Sequence, residues 1–71
     1  MNDDAKIGSR LREVRTAQGL TQAQLAELVE VSRQTINYIE TGTFCPSTLL
    51  ALRLARELRV TVEDLFFLNE K

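Results

Sequence analysis

Four hydroxyl side chains cut this chain into pieces too short for anything but small helices. Thr21, Ser32, Ser47 and Thr61 each stand immediately before a segment whose apolar residues recur with helical spacing. A Ser or Thr in that place caps the free backbone N–H groups of a helix start. Gln24 and Asp64, three residues after Thr21 and Thr61, complete capping boxes. Gly19 supplies the left-handed residue that commonly closes a helix, and Gly42 stops a later one. The single proline, Pro46, lies in a loop at 43–46, where a helix cannot continue.

These signals predict five helices. The first runs over about residues 6–18, with Ile7, Leu11 and Val14 on one side. The second opens at Thr21 and carries Leu25, Ala26, Leu28 and Val29; a break at about 30–32 follows. The third continues from Ser32 to about Thr41. The fourth, after Ser47, places Leu50, Leu54, Ala55 and Leu58 on a buried stripe, and a short fifth follows Val60 and Thr61. No strand signal stands out, so the expected fold class is all-α, a compact five-helix domain filling residues 1–71.

A chain of 71 residues buries only about 60% of its unfolded surface, so its core must be well packed or stapled. Staples are missing: one cysteine cannot form an intrachain disulfide, and one cysteine with no histidine does not make a zinc site. Cys45, between Phe44 and Pro46, reads as a small loop residue without chemistry of its own. No apolar run reaches the roughly 18 residues of a membrane span, and the acidic start at 1–4 does not resemble a signal peptide. A cytoplasmic protein is expected, with no membrane partner, cofactor or metal.

The net charge of −1 does not by itself advertise nucleic acid. Its distribution is more informative. Lys6, Arg10, Arg12, Arg15 and Arg33 lie in the first half, while Glu57, Glu63, Asp64 and Glu70 lie towards the end. A polar molecule with one basic face is compatible with that asymmetry.

The segment 21–42 reads as two short helices joined by a turn, the arrangement that presents a second helix to a DNA major groove. On that second helix Ile36 and Ile39 share an inner face. Arg33, Gln34, Asn37, Tyr38 and Thr41 form one outer face. A plain solvated surface carries Glu and Lys. This one carries Arg, Gln and Asn, whose forked donors and acceptors match guanine and adenine edges, with a Tyr ring suited to a thymine methyl or a sugar. An ordinary polar helix face, with Tyr38 packed on a neighbour, is the competing reading of these residues alone.

The motifs Thr21-Gln22, Leu25-Ala26, Val31-Ser32, Ile36, Ile39-Glu40 and Gly42, followed by Pro46-Ser47 and the ending Val60 to Phe66, resemble the Cro and cI-type (Xre) repressor family over nearly the whole chain. The resemblance implies a lambda-repressor-like DNA-binding domain acting as a sequence-specific transcriptional regulator, with a repressor as the expected role. It implies that Arg33, Gln34, Asn37 and Tyr38 read bases. It also implies phosphate contacts from Gln22, Thr41 and Thr43, with Thr35 touching either bases or backbone. Arg15 and Glu40 are implied to form a partly buried ion pair between the first and third helices; a free Arg15 on phosphate and a solvated Glu40 are the alternative. One position departs from the family pattern: Glu30 stands where the turn usually has glycine.

A single module of this kind reaches few base pairs, so a homodimer on a palindromic operator is expected, its recognition helices roughly 34 Å apart. The candidate interface lies in the C-terminal segment 61–71. Leu65, Phe66, Phe67 and Leu68 cannot all face inward from a short helix, so Leu65 and Phe66 are assigned to the core and Phe67 and Leu68 to a partner. Alternatively, Phe67 covers the end of the first or fourth helix in a monomer. A competing function is an antitoxin-like or other protein-interaction module on the same fold, mildly favoured by the acidic total. An enzyme is not expected: there is no histidine, no nucleophile beside a base, no paired-carboxylate pocket and no glycine-rich phosphate loop.

Overall fold

A computed structural model describes residues 6–69. The acidic start at 1–4 and Glu70, which entered the charge reading, lie outside the described residues. The elements run in the order β1 (Lys6–Ser9), α1 (Leu11–Ala17), α2 (Gln22–Val29), α3 (Arg33–Glu40), α4 (Thr48–Leu58), α5 (Val62–Leu65) and β2 (Phe66–Asn69).

The hydroxyl caps sit where the sequence puts them. Thr21 Oγ1 accepts from the Gln24 backbone N–H at 3.0 Å, and the Gln24 side chain accepts from Thr21 N–H at 2.8 Å. Thr61 and Asp64 make the same reciprocal pair. Ser32 and Ser47 each accept from the backbone N–H three residues on. Each cap satisfies donors that a helix start leaves free. Gly19 and Gly42 both adopt positive φ, 75° and 78°, at the ends of α1 and α3.

The helices close around one core. Leu11 of α1, Leu25 and Val29 of α2, Ile36 and Ile39 of α3, Leu54 and Leu58 of α4 and Leu65 of α5 are essentially inaccessible to solvent. Ile36 and Ile39 therefore anchor the inner face of α3 and turn the remaining face outward.

The first helix differs from expectation. It begins at Leu11, and residues 6–9 form a strand antiparallel to β2, with Ile7 opposite Leu68 and Gly8 opposite Phe67. Gly8 and Ser9 are the physical reason. A glycine inside a helix costs about 1 kcal/mol relative to alanine, and the Ser9 hydroxyl accepts from Leu11 N–H at 3.2 Å, turning the chain into α1 from outside it. Gly8 also makes room for the ring of Phe67, which any Cβ at that position would strike. The last short helix stops at Leu65 for the complementary reason: Phe66–Asn69 extends to pair with β1.

Leu65 and Phe66 are buried and Leu68 is 71% exposed. Phe67 packs over Gly8 of β1, and the guanidinium of Arg10, the residue before α1, lies 4.2 Å from its ring centroid. Among the described residues no helix is long and apolar enough to cross a membrane.

Candidate nucleic-acid interface

Helix α2 and helix α3 are joined by residues 30–32. Glu30 closes α2 in the left-handed region, φ 64° and ψ 43°, with its N–H directed to the carbonyls of Ala26 and Glu27. The turn keeps the glycine-type geometry although a glutamate occupies it. Ser32 then opens α3, its hydroxyl also within 2.9 Å of Thr35 Oγ1.

The outer face of α3 carries Arg33, Gln34 and Tyr38 in solvent and Asn37 half-buried. Gln34 Nε2 donates to the Tyr38 phenol oxygen at 2.8 Å, so these two exposed side chains form one unit a helical turn apart. Just beyond α3, Thr41 Oγ1 lies 2.9 Å from Thr43 Oγ1 and donates to Tyr38 O at 3.2 Å. Thr43 N–H returns to the same carbonyl at 2.9 Å. The two exposed hydroxyls thus stand side by side at the end of the helix. Thr35 is half-buried near the start of α3.

The base of α3 is held by charge. Arg15 meets Glu40 through both carboxylate oxygens, Nε to Oε2 at 2.6 Å and NH2 to Oε1 at 3.1 Å. Its remaining nitrogen donates to Leu20 O at 2.8 Å. The Glu40 side chain is fully shielded and that of Arg15 is 10% exposed. Two further donors reach Oε1: Gln22 Nε2 at 2.9 Å and Arg12 Nε at 3.4 Å. Burial works against the Glu40 charge, but the bonds from Arg15 and Gln22, the charge of Arg15 and the bond from Arg12 outweigh it and hold the carboxyl below the usual carboxylate range.

Gln22 sits at the first position of α2, half-buried rather than projecting. Its Nε2 donates to Glu40 and also to Asn37 Oδ1 at 3.2 Å. Both N–H bonds are therefore occupied inside the protein. Its backbone N–H, in the first turn of α2, is among the donors that a helix start leaves free for an anion. Arg12 is the site residue that the sequence reading did not place. Its signal was present, since Arg12 and Arg15 lie three apart on one side of a helix.

A helix held by its apolar face against the core, joined by a short turn to a capped helix and presenting Arg, Gln, Asn and Tyr outward, defines a helix-turn-helix DNA-binding protein. The helix-turn-helix family matches residues 11–65, and the chain belongs to that family, in its Cro/cI (Xre) branch. It is 52% identical over 61 residues to an HTH-type transcriptional regulator of Methanothermobacter thermautotrophicus, covering 84% of this chain and 88% of that one. It is 40% identical over 63 residues to the HTH-type regulator YgzD of Bacillus subtilis, covering 89% and 96%. Among solved structures it resembles the restriction-modification controller protein C.AhdI from Aeromonas hydrophila, with a TM-score of 0.73 and 38% identity over 78% of this chain and 83% of that one. The clp gene regulator ClgR from Corynebacterium glutamicum gives a TM-score of 0.72 at 31% identity, covering 76% and 57%. The protein is a DNA-binding transcription regulator of a family of regulators, not enzymes.

Proposed function

We propose that the protein is a sequence-specific repressor that binds a palindromic operator as a homodimer, inserting α3 into the major groove of each half-site. Arg33, Gln34, Asn37 and Tyr38 read base edges, and Gln22, Thr35, Thr41 and Thr43 contact phosphates. Phe67 and Leu68 meet the second subunit. The observation that carries this reading is the outer face of α3, fork-ended side chains on a helix whose angle is set by the shielded Arg15–Glu40 pair. Two such helices, related by a two-fold axis, reach successive major grooves roughly 34 Å apart.

Selection from a randomised duplex library tests the proposal. A palindrome with half-sites about 10 base pairs apart is the expected result. A salt titration of the winning duplex is expected to give a log–log slope steeper than about −5, the signature of phosphate contacts from two subunits. A short asymmetric motif with a shallow slope counts against the dimer; no motif at low salt counts against operator recognition.

A protein partner is the second reading, and Leu28, Leu49 and Leu52 favour it. All three are at least half exposed, and the two on α4 face away from its buried Leu54 and Leu58 stripe. A Leu52→Lys variant that keeps operator affinity but loses regulation in cells would assign that face to a partner.

A further inference from the structure

We propose that Gln22 is a positioning residue that fixes which end of the Asn37 amide meets DNA, and so excludes cytosine at one operator position. The inference rests on Asn37 reading a base, as proposed above. An amide side chain can present either its oxygen or its NH2 group, and which one it presents is settled by its hydrogen-bond partners. Here the partners form a chain with a single direction. Glu40 is a charged carboxylate, ion-paired with Arg15, and it can only accept. The Gln22 atom 2.9 Å from it must therefore be Nε2. The same nitrogen has one more N–H bond, and it lies 3.2 Å from the Asn37 amide, so the Asn37 atom facing it must be the oxygen.

The result is that Asn37 Nδ2 points away from Gln22 and has no protein acceptor among the described residues. Reversing the Asn37 amide would set two NH2 groups against each other. Reversing Gln22 would set its oxygen against the Glu40 carboxylate. Each step is unfavourable because the site is partly shielded from water that could relieve it. The polarity of a buried ion pair is thereby passed through Gln22 to a side chain on the recognition face.

A donor at that point has a defined set of partners. Guanine offers N7 and O6, adenine N7 and thymine O4, whereas cytosine offers only its N4 amino group, another donor. Gln34, by contrast, is tied among the described residues only to the exposed Tyr38 hydroxyl, which both donates and accepts, so its amide is free to turn. The two amides on one helix face therefore differ: Asn37 is committed and Gln34 adapts.

The test is library selection and quantitative binding with the full chain and three variants. Asn37→Ala identifies the base pair that Asn37 faces, as the position whose preference disappears. At that position the parent is expected to reject cytosine by about tenfold, in line with the discrimination of a good base contact. Gln22→Leu, which removes the link and keeps the side-chain bulk, is expected to reduce that rejection to about twofold while leaving preferences at the other positions intact. Asn37→Asp keeps Gln22 satisfied and turns the free end into an acceptor, so it is expected to move the preference towards cytosine. Melting curves of the variants confirm that each is folded at the assay temperature, and Gln22→Met, which also removes the amide, replaces Gln22→Leu if the latter is not. Cytosine preferred by the parent, or unchanged rejection in folded Gln22→Leu, overturns the positioning role. If Asn37→Ala changes no preference while Arg33→Ala does, operator recognition stands and this inference falls. If the parent selects no motif, the operator reading falls first and takes the inference with it.

Discussion

Arg15 of α1 and Glu40 at the end of α3 are joined through two hydrogen bonds, 2.6 and 3.1 Å long, with almost no solvent at either side chain. This pair sets the recognition helix against the first helix, and removing one partner strands the other. Breaking a buried pair typically costs about 3–5 kcal/mol. Because Arg12 lies exposed at the edge of this site, the low end, about 3 kcal/mol, is expected for Glu40→Ala. Denaturant unfolding should show it, and Arg15→Met combined with Glu40→Leu should recover part of the loss by removing the uncompensated charge. A Glu40→Ala midpoint equal to that of the parent would sink the claim.

The same carboxylate makes stability depend on pH. Burial alone would raise its pKa, but the bonds and charges around it win, and the folded value lies below the ordinary one. A depressed acid stabilises the fold fully above its unfolded pKa, about 4.3 for a glutamate, and loses that contribution as pH falls from there through the lower folded value. The stability advantage of the parent over Glu40→Gln is therefore expected to be constant near neutrality and to shrink below about pH 4.3. Carboxylates common to both proteins cancel in the difference. An advantage that stays constant down to about pH 3 would show that Glu40 is not held ionised by its partners.

What could be read from the sequence was local. Thr21, Ser32, Ser47 and Thr61 act on groups two or three residues away, so their caps were visible in the order of the residues. The split of α3 into Ile36 and Ile39 inside and Arg33, Gln34 and Tyr38 outside follows from helical periodicity in the same way. The antiparallel β1–β2 pair was missed because it joins opposite ends of the chain, Ile7 to Leu68, and four-residue strands carry little pattern. Gly8-Ser9 was the clue, a helix-start signal inside a stretch read as helix. The meeting of Arg15 with Glu40 came through family resemblance, since nothing in the spacing shows it. That Gln22 touches both Asn37 and Glu40 depends on how α2 lies across α3, which no one-dimensional pattern contains.

Glu30 is strained in the turn after α2, where the family resemblance implies that glycine is usual. A left-handed conformation costs an L-residue about 1–2 kcal/mol, and Glu30 adopts one at φ 64°. Glu30→Gly removes that strain but adds backbone freedom to the unfolded chain, an opposing effect of about 0.4–1 kcal/mol. The balance favours the variant by up to about 1.6 kcal/mol, visible as a raised thermal or denaturant midpoint. An unchanged or lower midpoint would mean that the glutamate side chain contributes something its position does not reveal.

Gly8 is required by a neighbour rather than by its backbone. A methyl group there collides with the outer end of the Phe67 ring. Because that ring is 38% exposed, it can swing aside, so Gly8→Ala is expected to cost only about 1 kcal/mol, the low end for overpacking. The displaced ring also leaves the Arg10 guanidinium. Paired with Phe67→Leu, which removes the ring, Gly8→Ala should become nearly neutral. Full additivity of the two changes would show that Gly8 and Phe67 do not meet.

A charged residue at position 68 tests the proposed assembly apart from folding. Leu68 is 71% exposed although it lies on a strand beside the buried Phe66, so a charged substitution removes little from the core of one subunit. Leu68→Lys is therefore expected to leave the unfolding free energy within about 0.5 kcal/mol of the parent when both are measured as monomers at low concentration. If Leu68 meets a second subunit, the same change should weaken self-association in sedimentation equilibrium by at least tenfold. It should also lower the affinity for a full palindrome while leaving affinity for a single half-site unchanged, because the recognition helix itself is untouched. Equal weakening on the full site and the half-site would locate the effect within one subunit and remove β2 from the dimer interface.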